Sequence, residues 1–448
     1  MIFARAICAL LALTSLSACV PSTREVPANG AALDLPAMAQ FRAFTPAPVT
    51  RSNAELARDF IDLSFNLENG VALERFTRIE GPITLRVLDA GRIPTLRADL
   101  DGLRMRLARE AGIDITVVAS DRPAVISIET VPARELAQRA PNTACIVAPN
   151  VGSWSEFRSA RRAAVSWTRV TERRQLAIFL PEDSPPQEAR DCLHEELAQA
   201  LGPLNDLYRL TDSVFNDDNM HSVLTGFDML MLRVTYAPDL RNGMSRAEVA
   251  RALPTVLARL NPRGEGMGSR RISPTPQSWV EDIQRAMSGT ATDQRRAAAA
   301  RALRYAQDRG WDDGRIAFAW FLIGRLSLGA DRDAAREALL SAKALYARHG
   351  GDIQESHVAM QLAALALAER DYADAERTAA RAIPAARNAQ NAALLATLGL
   401  TQAAALDGLG RPGEARAVRL DSLGWARYGF GSDAAIRARV VEISGLAR

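Results

Sequence analysis

Residues 191–206 read DCLHEELAQALGPLND and gather metal-ligating and proton-carrying side chains on one helical stretch. Hydrolysis by a helix-borne metal needs ligands at i and i+4, so that both face the ion, and a glutamate at i+1 to take a proton from bound water. Counted from His194, position i+4 is Ala198, which cannot ligate. Counted from Glu195, it is Gln199, and the base position is Glu196. Zinc favours imidazole and thiolate, so a set of one carboxylate and an amide is not expected to hold it. No cofactor is therefore expected. The other chemistry open to the stretch is a harder ion such as calcium, which would draw further oxygens from Asp206, Asp212, Asp217 and Asp218. Without any metal, adjacent buried carboxylates raise at least one pKa, which suits acid/base work or a hydrogen-bonded core. His194 and His221 are the nearby imidazoles, but helix geometry turns His194 about 100° away from Glu195.

The frame that starts at Glu195 resembles the metzincin signature H-E-x-x-H-x-x-G-x-x-H. The resemblance puts Glu195, Gln199 and Asn205 at the metal positions, Glu196 at the base and Gly202 at the turn, with only Glu196 and Gly202 keeping the family's residue types. Downstream, DSVFN falls where matrixin-like metzincins carry their methionine turn, with Phe215 in the methionine place, followed by a helix around Asp228 and by Tyr236. The motif block over 192–244, with C, EEL, QALG, ND, DSVFN, FD and PDLR in order, is also similar to an uncharacterised family of exported bacterial proteins known only as a domain of unknown function, DUF2927. That similarity covers about residues 80–250. It implies an α+β zincin-like fold, a mixed sheet plus an active-site-type helix, and no established activity.

The elements that must position this helix are legible in the hydrophobic period. Ser52 precedes Leu56, Phe60, Ile61 and Leu63 at helical spacing, which predicts a first helix. GPITLRVL (81–88), IDITVVA, AVISIETV, AAVSWTRV (163–170) and QLAIFLP (175–181) read as strands, and TLRADLDGLRMRLAREAG reads as a helix between the first two. The Pro185–Pro186 pair suits the opening of the 191–206 helix, and Gly202–Pro203 stops it.

The chain has 448 residues and 48% hydrophobic content, enough for more than one independently buried core. Its net charge is +3, with arginines scattered beside acids, so nucleic acid is not an expected partner. The N-terminal run AICALLALTSLSAC after Arg5 is too short to span a bilayer and reads as a signal-peptide core. LSAC at 16–19 resembles a bacterial lipobox, which implies cleavage after residue 18, a lipid on Cys19, membrane attachment through it, and a periplasm-facing place in the cell envelope. Two cysteines then remain, Cys145 and Cys192, and an oxidising compartment favours their pairing. Such a closure is worth about 3–4 kcal/mol by chain entropy.

These readings divide the chain into a signal peptide (1–18), a flexible tether (19–50), the zincin-like domain (51–262), a linker rich in Gly, Pro and Ser (263–293) and an α-helical domain (294–448). Within the last, DRDAAREALLSAKAL, ERDYADAERTAARAI and GRPGEARAVRLDSL align on Ala335, Ala375 and Ala415, a step of 40, with Ala342 and Ala382 seven positions on. A fixed period in helical sequence implies stacked helix pairs. The pattern around Tyr372 resembles tetratricopeptide repeats. The expectation is a lipid-anchored envelope protein that binds a protein or peptide partner through these helices. The alternative is a metallopeptidase-like hydrolase with Glu196 as general base.

Overall fold

Ser52 opens the first helix, α1 (Asn53–Ser64), through a reciprocal cap with Glu55, and its apolar stripe of Leu56, Phe60 and Leu63 is buried. The computed structural model describes residues 35–141, 143–289 and 291–447. The proposed signal peptide and Cys19 lie outside the described residues. Two compact units emerge, 45–274 and 275–447, the latter joined by residues 35–44.

The first unit is a mixed α/β domain. After α1 come β1 (Ile83–Asp89), α2 (Leu96–Arg106, continued by a wider turn, Leu107–Ala111), β2 (Ile115–Val117), β3 (Ile126–Val131), α3 (Ala133–Arg139), β4 (Ile146–Pro149), α4 (Trp154–Ser159), β5 (Leu176–Pro181), α5 (Pro186–Leu201), α6 (Gly226–Thr235) and α7 (Arg246–Leu260). The five strands lie in the order β2-β1-β3-β5-β4, all parallel except the edge strand β4. Ile126, Ile128, Leu176, Ile178 and Leu180 face one side of the sheet, in a core shared with α1, α2, α5, α6 and α7. Ala177 and Phe179 alternate to the other side, where Trp154 and Phe157 of α4 and Leu136 of α3 cover them. A sheet covered on both faces accounts for the near-continuous apolar run of β5.

AAVSWTRV does not form the strand its pattern predicts. It holds turns and a short 3-10 segment, Trp167–Arg169, and pairs with none of the five strands. The indole of Trp167 instead lies under the Arg173 guanidinium, 5.1 Å from ring centroid to Cζ.

The second unit is all helical: α8 (Gln277–Ser288), α9 (Thr292–Asp308), α10 (Gly314–Ser327), α11 (Arg332–His349), α12 (Asp352–Ala368), α13 (Tyr372–Asn388), α14 (Ala392–Gly408), α15 (Pro412–Phe430) and α16 (Asp433–Leu446). The start points Arg332, Tyr372 and Pro412 are 40 residues apart, as are Asp352 and Ala392. Ala335, Ala375 and Ala415 are fully buried at the seams, where a larger side chain would hold neighbouring helices apart. The linker expected over 263–293 is corrected in its second half. Residues 277–288 form a helix because Trp279, Ile283 and Ala286 recur on one face and bury, with the Trp279 indole N–H donating to Ala302 O at 3.0 Å.

The described part of the expected tether, 35–50, has no regular element, yet residues 35–44 are held on the helical unit. Ala39 N donates to Gly424 O at 3.0 Å, Gln390 Nε2 donates to Arg42 O at 2.7 Å, and Arg427 Nη2 donates to Leu35 O at 3.4 Å. The Phe41 ring packs 4.4 Å from that of Trp425 and edge-on to Tyr428.

Candidate functional site

Helix α5 is fixed at both ends before any of its polar side chains can act. Pro186 starts it, and Cys192 in its first half is bonded to Cys145 just before β4, so the pair expected from the cysteine count is present. At the far end the buried guanidinium of Arg173 donates to Gln199 O (2.5 Å), Ala200 O (2.9 Å) and Gly202 O (2.6 Å), filling the carbonyl positions a helix leaves open. Burial holds the Arg173 guanidinium down at about 10. Gly202 is needed for closeness, since a Cβ there would come within 2.9 Å of the Thr235 side chain of α6.

The two histidines are structural. His194 is buried, its Nδ1 accepts from Leu224 N at 3.0 Å, and burial, helped by Arg190 and Arg106, keeps its pKa well below the ordinary value. His221 Nε2 lies 2.9 Å from Thr211 O.

Glu195 and Gln199, four residues apart, share the opposite face of α5. Gln199 hydrogen-bonds Glu68, which sits in the exposed loop after α1. Glu68 also accepts a hydrogen bond from Asp206, and together with Asp217 these acids place one carboxylate oxygen each within 4.8 Å of one another. Tyr208 hydrogen-bonds Asp217. Burial, then the charges of Glu68, Asp217 and Asp191, push Glu195 up to about 8. Burial and Glu68 push Asp217 up to about 7, and burial with the same neighbours carries Asp206 well above its usual range. Glu196 is only 5% exposed. The Val147 N–H of β4 donates to it, burial and the charges of Glu195 and Glu68 raise its pKa well above normal, and its Oε2 has no hydrogen-bond partner.

Of the four positions expected on sequence grounds, Glu195, Glu196 and Gln199 therefore lie together. Asn205 does not join them: its Nδ2 donates to Asp62 O at 3.0 Å, and the next residue, Asp206, takes the place beside Glu68. Of the acids proposed to complete a calcium shell, Asp217 is present and Asp212 is not, being paired with Arg51. Asp218 bonds Asn216 and accepts from Met220 N in a local turn. Glu68 carried no sequence signal, because it stands in a polar loop far from the motif block. Phe215 of the DSVFN turn is fully buried, and its carbonyl accepts from Leu207 N. Asp228 holds the turn from α6, accepting from Ser213 Oγ at 2.5 Å and from Val214 N at 3.2 Å.

The class these features define is a mixed α/β domain with a carboxylate-lined helix at the end of a five-stranded sheet, followed by an all-helical unit. Residues 53–255 match the family described as "Protein of unknown function (DUF2927)", which spans α1 to the middle of α7. No curated protein was found to match the chain.

Proposed function

We propose that this is a lipid-anchored envelope protein whose helical repeats bind protein or peptide segments in extended form, beside a zincin-like domain that has lost the zinc-hydrolase ligands. The observation that carries the binding reading is the chain's own irregular segment 35–44, held on α15 and on Gln390 before α14 by hydrogen bonds to its main chain and by an aromatic anchor at Trp425. Contacts to main-chain atoms tolerate many sequences, and a rigid aromatic supplies binding energy at small entropic cost. The step of 40 between equivalent helices, with buried alanines at each seam, supports the tetratricopeptide-like assignment.

Support for the zincin-like reading comes from the sheet. One antiparallel edge strand, β4, lies against the helix that follows the last strand, tied to it by the Cys145–Cys192 bond and by Val147 N–H donating to Glu196. Loss of the zinc set follows from chemistry: every group at the ligand positions is an oxygen donor or an amide, and both nearby imidazoles are engaged in backbone contacts. The anchor rests on the lipobox resemblance at Cys19; among the described residues no helix is long and apolar enough to cross a membrane.

A second reading, a metallopeptidase-like hydrolase, draws on the unpartnered Oε2 of Glu196 beside the other acids, as a general base would require. Parallel binding and cleavage assays on a peptide library separate the two. Binding that survives Glu196→Ala and is lost in Trp425→Ala supports the first reading. Stoichiometric zinc with cleavage abolished by Glu196→Ala would replace it with the second.

A further inference from the structure

Residues 35–44 belong to the helical unit, yet none of them is buried in it. Each is half-buried or exposed, including the apolar Leu35, Met38, Phe41 and Phe44. The surface beneath them is the reverse: Trp425 (6% exposed) and Tyr428 (4%) meet the Phe41 ring, and Gln390 (9%) donates to Arg42 O. A segment that puts no apolar side chain inside adds little to the core it lies on, so it can leave without unfolding that core.

Its fit is also incomplete. Trp425 stacks on the segment and Arg427 donates to Leu35 O, but Trp425 Nε1 and Arg427 Nε are closed to solvent and meet no acceptor among the described residues. A buried donor left unmet weakens whatever covers it, and a ligand that brings an acceptor gains what this segment lacks. What the segment does satisfy is a short pattern. One aromatic ring lies on Trp425, the main-chain N–H two residues before it (Ala39) donates to Gly424 O, and the carbonyl one residue after it (Arg42) accepts from Gln390.

We propose that residues 35–44 are a resident stand-in for a partner segment of the same chemistry, which must displace them to dock. The partner has an aromatic residue, a residue other than proline two positions before it, and acceptors for Trp425 Nε1 and Arg427 Nε. This rests on the peptide-binding reading above and adds which segments are taken and what holds the site closed. An occupant on the same chain competes at high effective concentration, and apparent affinity for a partner falls with the fraction of time the site is open.

The test is fluorescence anisotropy with a dye-labelled synthetic peptide of residues 35–44, titrated with the full chain and with full-length Phe41→Ala, a change that leaves the α15 surface intact. Loosening the resident segment should tighten peptide binding at least about tenfold over the parent, and adding Trp425→Ala should reverse the gain. A peptide that itself carries Phe41→Ala should bind the loosened chain at least about tenfold more weakly than the unaltered peptide. In isotope-labelled parent protein, saturating peptide should speed hydrogen exchange at the Ala39 amide at least about tenfold, because release breaks its bond to Gly424 O. Equal affinity of the parent and Phe41→Ala chains would overturn the stand-in role and leave the peptide-binding reading in place, whereas no binding by either would overturn both. An Ala39 amide unmoved by saturating peptide would overturn displacement, and equal binding of the two peptides would overturn the aromatic requirement.

Discussion

The sharpest consequence of the acidic cluster concerns pH, and Glu195 sets its size. Burial and neighbouring carboxylates raise this group from 4.5 to about 8 in the folded protein. In the unfolded chain it ionises near its ordinary value, so between the two pH values the native state holds a proton that the unfolded state has released. Stability from this group is complete below the unfolded pKa and is lost as pH rises through the folded one. At 1.36 kcal/mol per unit, a displacement of roughly 3.5 units sets an upper limit of about 5 kcal/mol, lost between about pH 4.5 and pH 8. Asp217, raised to about 7, acts in the same direction. Urea unfolding in a chelating buffer from about pH 5 to pH 9 should show the midpoint of the parent protein falling with pH. Glu195→Gln, which keeps the shape and removes the charge, should match the parent near pH 5 and exceed it near pH 8.5. A parent midpoint that stays flat or rises over this window, or a Gln variant no better than the parent at high pH, would refute the reasoning.

Removing the Cys145–Cys192 bond by Cys145→Ala with Cys192→Ala should cost about 4 kcal/mol for a closed loop of 47 residues, read as a shift in urea midpoint. Arg173→Met should cost about 3 kcal/mol or more, since it strips donors from three buried carbonyls at the end of α5; a melt within a degree or two of the parent would contradict that role. Gly202→Ala should destabilise by about 1–3 kcal/mol through the clash with Thr235, and adding Thr235→Ala should recover part of the loss. If the double variant is no better than the single, the close approach is not what selects glycine.

Much of the first domain was legible because its signals are local. Alternation located β1, short apolar runs located β3 and β5, the cap at Ser52 located α1, and the i, i+4 spacing brought Glu195 and Gln199 to one face. What failed depended on partners distant in sequence. AAVSWTRV has strand composition but pairs with no strand, and its Trp167 ring lies against the Arg173 guanidinium instead. Asn205 does not join Glu195 and Gln199 because the segment after Gly202 leaves helical geometry: Asn205 turns to the end of α1 while Asp206 lies beside Glu68. Glu68 itself could be found only after α1 and the loop beyond α5 were known to meet. In the second unit, the Gly, Pro and Ser around α8 masked a helix whose Trp279 stripe was sound.

The central claim, that the helical unit grips extended peptide, is tested most directly by titrating a labelled peptide of residues 35–44 into a chain that begins at Thr45. Saturable binding is predicted, weakened about tenfold or more by Trp425→Ala, a loss of about 1.4 kcal/mol or greater for an aromatic anchor. Absence of saturable binding, or an unchanged affinity in Trp425→Ala, would contradict the claim.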